Sequence, residues 1–344
     1  VYDIPGIETI EATTKEQLQE LLGRGVLKLL VDQDEVRIDQ LVTQMAGGRV
    51  EATGWVKHET GAMRIDFKIE DLELSDPAVR RALGEGGAVL FDQFSPSGIV
   101  DAKGTVSRDA DGEIEWRVDV VLEDTRFEFI GHIGEDGKRV GFPYSVEQAT
   151  GRVYLRPEGV FFEDIVGFHR GAEITIRGND KQAWGGGETG RILFTEEGAD
   201  IRLTVEVVNM LVDEDLERAV EGSDFAGIFD TFQLAGVIDL VEIDVMRVPG
   251  IDALSKASLR LQLEGEQFKY TPFPIPVEDV RGTITVRRPV LPGTEGEGPH
   301  RRGTVIAFDV TGWLEGAPIR ATAEIVGHEE RGRLHIEADG VPLA

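Results

Sequence analysis

FPYSVEQATGRVYLRPEGVFFEDIVGFHRGAEITIRG, running from Phe142 to Gly178, is the stretch on which the fold turns. Three short runs in it alternate apolar and polar residues, broken at Pro157-Glu158-Gly159 and at Arg170-Gly171. Alternation with period two is the mark of strands with one buried and one wet face. The stretch also recurs without gaps. FPYSVEQATGRVYLR at Phe142–Arg156 returns as FPIPVEDVRGTITVR at Phe273–Arg287. VFFEDIVGFHRGAEITIRG at Val160–Gly178 is foreshadowed by VRIDQLVTQMAGGRVEATG at Val36–Gly54. The chain therefore reads as a β-repeat array with a period of roughly 130 residues, far longer than common solenoid repeats.

Working outward, residues 1–25 predict one helix, with Thr13 and Thr14 before Glu16 and Gln17, a Leu18/Leu21/Leu22 stripe, and Gly23 as the stop. Strands are expected at 26–32, 35–42, 48–58 and 62–74. A short helix then opens at Asp76-Pro77, and strands follow at 113–123 and 126–134. The pattern restarts with Gly151–Arg156, Gly159–Val166, Ala172–Arg177, Arg191–Phe194 and Asp200–Val208. An insertion around Asn179–Gly190 lengthens this second copy. A second helix, Asp213–Val220, precedes strands at 236–247, 257–264 and 266–270. The third copy opens at Phe273 and carries a Gly-, Pro- and Glu-rich insertion at Pro292–Arg302. The expected organisation is a lead-in over 1–25, repeats over 26–141 and 142–272, and a partial repeat over 273–344.

In each clear strand one face is apolar and the other charged. The apolar sets are Ile65, Phe67 and Ile69; Trp116, Val118, Val120 and Leu122; Val153 and Leu155; Ile174 and Ile176. They continue with Ile201, Leu203 and Val205; Leu259, Leu261 and Leu263; Ile284 and Val286; Ile306, Phe308 and Val310; Phe127 and Phe129 are aromatic candidates for the same lining. An apolar sheet face has to be covered. The few short helices are too few to do it, so the sheet must curl on itself. A closed core and an open apolar trough both satisfy that requirement, and the trough requires a ligand.

Composition narrows the partners. With 344 residues and 41% hydrophobic content, the chain is long enough for a large buried surface. A net charge of −28 disfavours nucleic acid and anionic membrane surfaces as main partners. No cysteine is present, which removes disulfides, thiolate catalysis and Cys-based metal sites. No run approaches the roughly 18 apolar residues of a membrane helix. The opening at Val1 is expected of a fragment or mature form.

Catalytic motifs are weak throughout. Asp109-Ala110-Asp111-Gly112-Glu113 lacks the later Glu of a calcium loop and reads as a hairpin turn. Trp184-Gly185-Gly186-Gly187 has no following Lys-Ser/Thr of a phosphate loop. Ser95-Pro96-Ser97-Gly98 reads as a turn rather than a nucleophile elbow. The six histidines are scattered, and His169, in a turn, is expected to be solvated. No catalytic residue, metal or cofactor is expected.

The glycine-punctuated pattern at Val153–Gly178, with weaker copies at Leu29–Gly54 and from Ile284 to Gly312, resembles the bacterial AsmA-like superfamily, which includes the TamB and YhdP types. The acidic-capped helix after a strand, at Leu72–Leu83 and Met210–Val220, is similar to that family as well. The resemblance covers the chain from about residue 26 onward, outside the Pro292–Arg302 insertion. It implies a mostly β fold: an elongated, strongly twisted antiparallel sheet curled into an open trough, a repeating β-groove with a few short helices. It implies non-enzymatic phospholipid transfer in the periplasm between inner and outer membranes, with an inner-membrane anchor in the full-length protein and inner- or outer-membrane protein partners. The alternative from the residues alone is a closed β-repeat scaffold of the envelope that binds protein. A carbohydrate-active β-rich enzyme is a third class, and the alternation places almost no carboxylates inward to serve it.

Overall fold

The computed structural model describes residues 25–82, 88, 91–133, 139–178, 189–195, 198–220, 235–247, 256–270, 273–288, 290–291, 300–301, 305–326 and 331–339. The helix expected over 1–25, apart from Gly25, and the Gly-rich Trp184–Gly187 lie outside those residues, as does the Pro292–Arg302 insertion apart from His300 and Arg301. The protein is mostly β. Among the described residues, seventeen strands belong to one antiparallel sheet, two more pair in a separate hairpin, and the helices are short. The residues form two units. One comprises Val1–Asp92, Pro96–Arg126 and Gln148–Phe161; the other comprises Gln93–Ser95, Phe127–Glu147 and Phe162–Ala344.

The first unit is built on a meander. β1 (Val26–Val31), β2 (Glu35–Met45), β3 (Gly48–Lys57), β4 (Met63–Glu73) and β5 (Ser97–Arg108) each pair antiparallel with the next. β5 then pairs with the leading part of β6 (Ile114–Ile133). At the β5–β6 turn the Asp109 carboxylate accepts the N–H groups of Asp111 (3.0 Å) and Glu113 (2.9 Å), so it serves the hairpin. Helix α1 (Pro77–Ala82) starts where Asp76 Oδ1 accepts the Ala78 N–H at 2.7 Å, and its Val79 is buried.

The second unit takes β6 from Phe127, β7 (Arg139–Arg156) up to Glu147, and β8 (Gly159–His169) from Phe162. β8 turns through Arg170-Gly171 into β9 (Ala172–Arg177), which pairs with β11 (Gly198–Val212). β10 (Gly190–Thr195) pairs with the start of the same β11 edge and also with β8. Arg177 stands opposite Thr204 and Arg191 opposite Arg202, so β9 and β10 act as one strand interrupted by the expected insertion. β11 is followed by helix α2 (Glu214–Val220). The ladder then runs through β12 (Gly236–Arg247), β13 (Lys256–Tyr270), β14 (Phe273–Arg288), β17 (Val305–Leu314), β18 (Ala317–Val326) and β19 (Arg331–Ala338). The separate hairpin is β15 (Val290–Leu291) with β16 (His300–Arg301).

Strand lengths differ from the sequence expectation. The two strands expected at 113–123 and 126–134 are one 20-residue strand, β6. Those expected at 257–264 and 266–270 are one strand, β13, irregular around Gly265. In β6 the apparent break is a bulge, and its left-handed backbone residue recurs. Six strand residues with left-handed backbone sit third in a four-residue motif: Ile69-Glu70-Asp71-Leu72, Leu122-Glu123-Asp124-Thr125, Val146-Glu147-Gln148-Ala149, Phe162-Glu163-Asp164-Ile165, Val207-Val208-Asn209-Met210 and Val277-Glu278-Asp279-Val280. In all six the outer two residues are buried and the third is exposed. A plain strand would send positions one and four to opposite faces. Left-handed backbone at the third position brings both to the inner face, and beside Asp71, Asp124 and Asp279 the pairing register shifts with it, the mark of a β-bulge. Asp and Asn suit the position because their short polar side chains tolerate positive φ. Across from Asp124, Gly98 leaves room: a Cβ there would lie 2.8 Å from the Asp124 carbonyl oxygen.

The motif makes a prediction with opposite signs at one exposed site. Asp164→Val forces a β-branched residue to φ near 46° and should lower stability by about 1–3 kcal/mol. Asp164→Gly should be close to neutral. Chemical denaturation of both variants checks this, and equal losses would refute the conformational explanation.

Candidate functional site

Register and burial together place the apolar face expected from the sequence. In the first unit it is made of cross-strand rows. Ile65 faces Gly54 and Val106, and Val106 faces Trp116. Phe67 faces Ala52 and Gly104, and Gly104 faces Val118; the Phe67 ring lies over Gly104, where a Cβ would come within 2.6 Å of it. Ile69 faces Val50 and Ala102, and Ala102 faces Val120. The last row joins Leu72, Val100 and Leu122.

Burial falls along these rows. Leu72, Val100 and Leu122 are buried, with Val100 at 1% exposure. Ile65, Phe67, Val106, Val118 and Val120 are half-buried, and Trp116 reaches 36% exposure. The face is thus enclosed at the row of Val100 and wet at the row of Trp116. Val153 and Leu155, from the part of β7 in this unit, are half-buried too.

In the second unit the rows cross more strands and are drier. One row runs Ile174, Val207, Val241, Leu261, Ile284, Phe308, Ala323 and Leu334, each directly opposite the next. From Ile174 to Ala323 it is buried, with Leu261 and Ile284 at 0% exposure; Leu334, on β19, is exposed. A parallel row runs Ile176, Val205, Ile243, Leu259, Val286, Ile306 and Ile325. Leu259 and Val286 are buried there, while Ile176, Val205 and Ile306 are half-buried. Leu263 and Val310 are buried on either side of Gly282. Ile201, Leu203, Phe127 and Phe129 are half-buried, and Phe129 stacks on Phe94 at 5.0 Å.

No family model, curated protein or solved structure matches this chain. The chemistry of the site therefore rests on its own residues.

The second unit also holds a buried polar cluster. His169 was expected in solvent; it is 7% exposed, at the end of β8. Its ring lies 4.0 Å from that of Tyr144, and its Nδ1 is 2.9 Å from the Ser145 carbonyl oxygen and 3.0 Å from Ser145 Oγ. Opposite stands the start of α2. Asp213 Oδ1 caps that helix, accepting the N–H groups of Asp215 and Leu216 at 3.0 Å each. Arg170 joins the two carboxylates, at 2.7 Å from Asp213 Oδ2 and 2.6 Å from Asp215 Oδ2, and Arg218 reaches Asp215 Oδ1 at 3.0 Å. Burial works against ionisation of Asp213, but the Leu216 N–H and Arg170 outweigh it and hold its carboxyl below the usual range.

The same surroundings act on Tyr144. Burial, followed by the Asp213 and Asp215 carboxylates, pushes its hydroxyl up to about 12. Its folded-state value lies above the unfolded one, so the stabilisation is complete below about pH 10 and is lost as pH rises through 12. Phenolate absorbance during an alkaline titration should show Tyr144 ionising late, together with unfolding. Tyr144→Phe should remove the late step; its persistence would refute the assignment.

Proposed function

We propose that the half-exposed apolar face of the first unit holds acyl chains, and that the protein carries lipid without chemical catalysis. The observation that supports this is the wet end of that face, where Ile65, Phe67, Val106, Val118 and Trp116 sit side by side without full cover. Contiguous exposed apolar surface on a protein marks a binding site. Burying a methylene is worth about 0.8 kcal/mol, so an aliphatic and aromatic lining can hold tails out of water. Such contacts are non-directional and leave a tail free to slide. The outer face bears strand-borne pairs such as Arg64–Asp66 at 3.1 Å, suited to water and headgroups. This reading agrees with a lipid-transfer segment of the bacterial envelope, in the periplasm between inner and outer membranes, with phospholipid as ligand.

A second reading, a closed β-repeat scaffold that binds protein, is favoured by the Leu261 and Ile284 row, which needs no ligand to stay dry. One experiment separates the two. Organic extracts of the purified protein should contain phospholipid by mass spectrometry, and a fluorescent acyl-chain probe should bind saturably. Phe67→Glu and Val118→Glu should weaken probe binding with the circular dichroism unchanged. Clean extracts and no saturable binding by folded protein would overturn lipid carriage in favour of the scaffold.

A further inference from the structure

We propose that His169, Asp213 and Asp215 form a binding site for a divalent transition-metal cation of the zinc class. It is independent of the lipid reading, because all its groups belong to the second unit and lie at the β8–β9 turn and the start of α2. Three ligand atoms, one from each residue, lie within 4.8 Å of one another.

The histidine carries the argument. The Ser145 carbonyl oxygen can only accept, so His169 Nδ1 bears the proton in the bond of 2.9 Å. In the neutral ring Nε2 then carries a lone pair. Nε2 is buried and has no hydrogen-bond partner among the described residues. Its neighbour is Asp215 Oδ2 at 3.5 Å, beyond a normal hydrogen bond. A lone pair facing a carboxylate is repulsive until a proton or a metal cation comes between them, and a proton on Nε2 would draw the two closer than 3.5 Å. Two ligands bound to one tetrahedral zinc at roughly 2.0–2.1 Å stand about 3.4 Å apart. The observed gap has that size. A ring whose second nitrogen donates to a backbone carbonyl is also the usual arrangement of a metal-binding histidine.

Arg170 supplies the competing charge. Its guanidinium holds both carboxylates, and its side chain is 55% exposed, free to swing outward. A bound cation takes its place on Asp213 Oδ2 and Asp215 Oδ2 and clasps the β8–β9 turn to α2. The cation is thus set against a built-in counter-ion, and removing that counter-ion strengthens binding.

The test is titration of the whole chain with Zn²⁺ by calorimetry and with Co²⁺ by visible absorption, at neutral pH. The expected result is one ion per chain, with the intense Co²⁺ bands of a four-coordinate site. His169→Gln should weaken binding by at least about 100-fold, beyond the 10–100-fold that loss of an outer partner costs. Asp215→Asn serves as a second ligand variant should the first not fold. Arg170→Gln, which leaves every ligand in place, should bind several-fold more tightly than the wild type. No stoichiometric binding in either the wild type or Arg170→Gln would overturn the proposal and leave a proton-only clasp between His169 and Asp215. Binding undiminished in both ligand variants would overturn it too, assigning the ion to other side chains.

Discussion

Leu261→Ala should lower folding stability by about 2–5 kcal/mol, and Val118→Ala by about 1 kcal/mol or less, although both residues occupy inward positions of alternating strands. Leu261 is fully buried, with Val241 and Ile284 directly opposite on the two neighbouring strands. Truncation there removes three carbons' worth of apolar burial and leaves a cavity that a sheet row pinned on both sides fills poorly. Val118 is half-buried, opposite Gly104, and the water beside it takes up the lost volume. Urea midpoints report the difference, with an unchanged slope showing that the folded state is the same. Equal losses would mean that the two faces are equally enclosed. The acyl-chain reading of the first unit would then lose its physical basis. A large loss at Leu261 alone keeps the two faces distinct: one a core, the other a lining.

Strands with clean alternation, such as β4 and β11, were legible because alternation reports directly on a sheet with one dry face, whereas β5, which opens at the Ser95–Gly98 turn signal, was not. Helices α1 and α2 were legible as well, since Asp76-Pro77 and Asp213 carry capping chemistry within a few residues. The bulges were not read, although their signal is local. Apolar residues three apart, as in Phe162-Glu163-Asp164-Ile165, break period two and taken alone match helical spacing, although a third-position Asp or Asn supplies the tolerance for positive φ in most copies. Two other features were beyond a local reading. Leu261 and Val118 sit in the same kind of pattern, and only the surrounding strands decide that one is sealed and the other wet. His169 borders Arg170-Gly171 and reads as a solvated turn. What buries it are the ring of Tyr144 and the carboxylate of Asp215, and Arg170 finds Asp213 43 residues further on. Contacts that distant leave no trace in spacing.

Gly282→Ala is a single-methyl change with a large expected penalty. Gly282 lies in β14 between Leu263 and Val310, and its φ is 137°, a conformation that side-chain-bearing residues rarely adopt. A Cβ there would stand 2.1 Å from the Asp309 carbonyl oxygen and 2.8 Å from the Val310 Cα. Both are main-chain atoms of β17, so no rotamer change relieves the clash. The strands must move apart at the place where Leu263 and Val310 are buried. Backbone strain and overpacking together give a loss of about 2–6 kcal/mol. The source of the clash sets the control. Truncating the Asp309 side chain leaves its carbonyl where it was, so Asp309→Ala should not rescue Gly282→Ala. The two changes should add, apart from the exposed Asp309–Arg320 pair, which contributes little in water. Hydrogen exchange should accelerate first along the β14–β17 ladder. Rescue by Asp309→Ala, or a loss no larger than that of the neighbouring Thr283→Ala, would mean that the strands have room to spare and that the row through Leu263 and Val310 is looser than its burial implies.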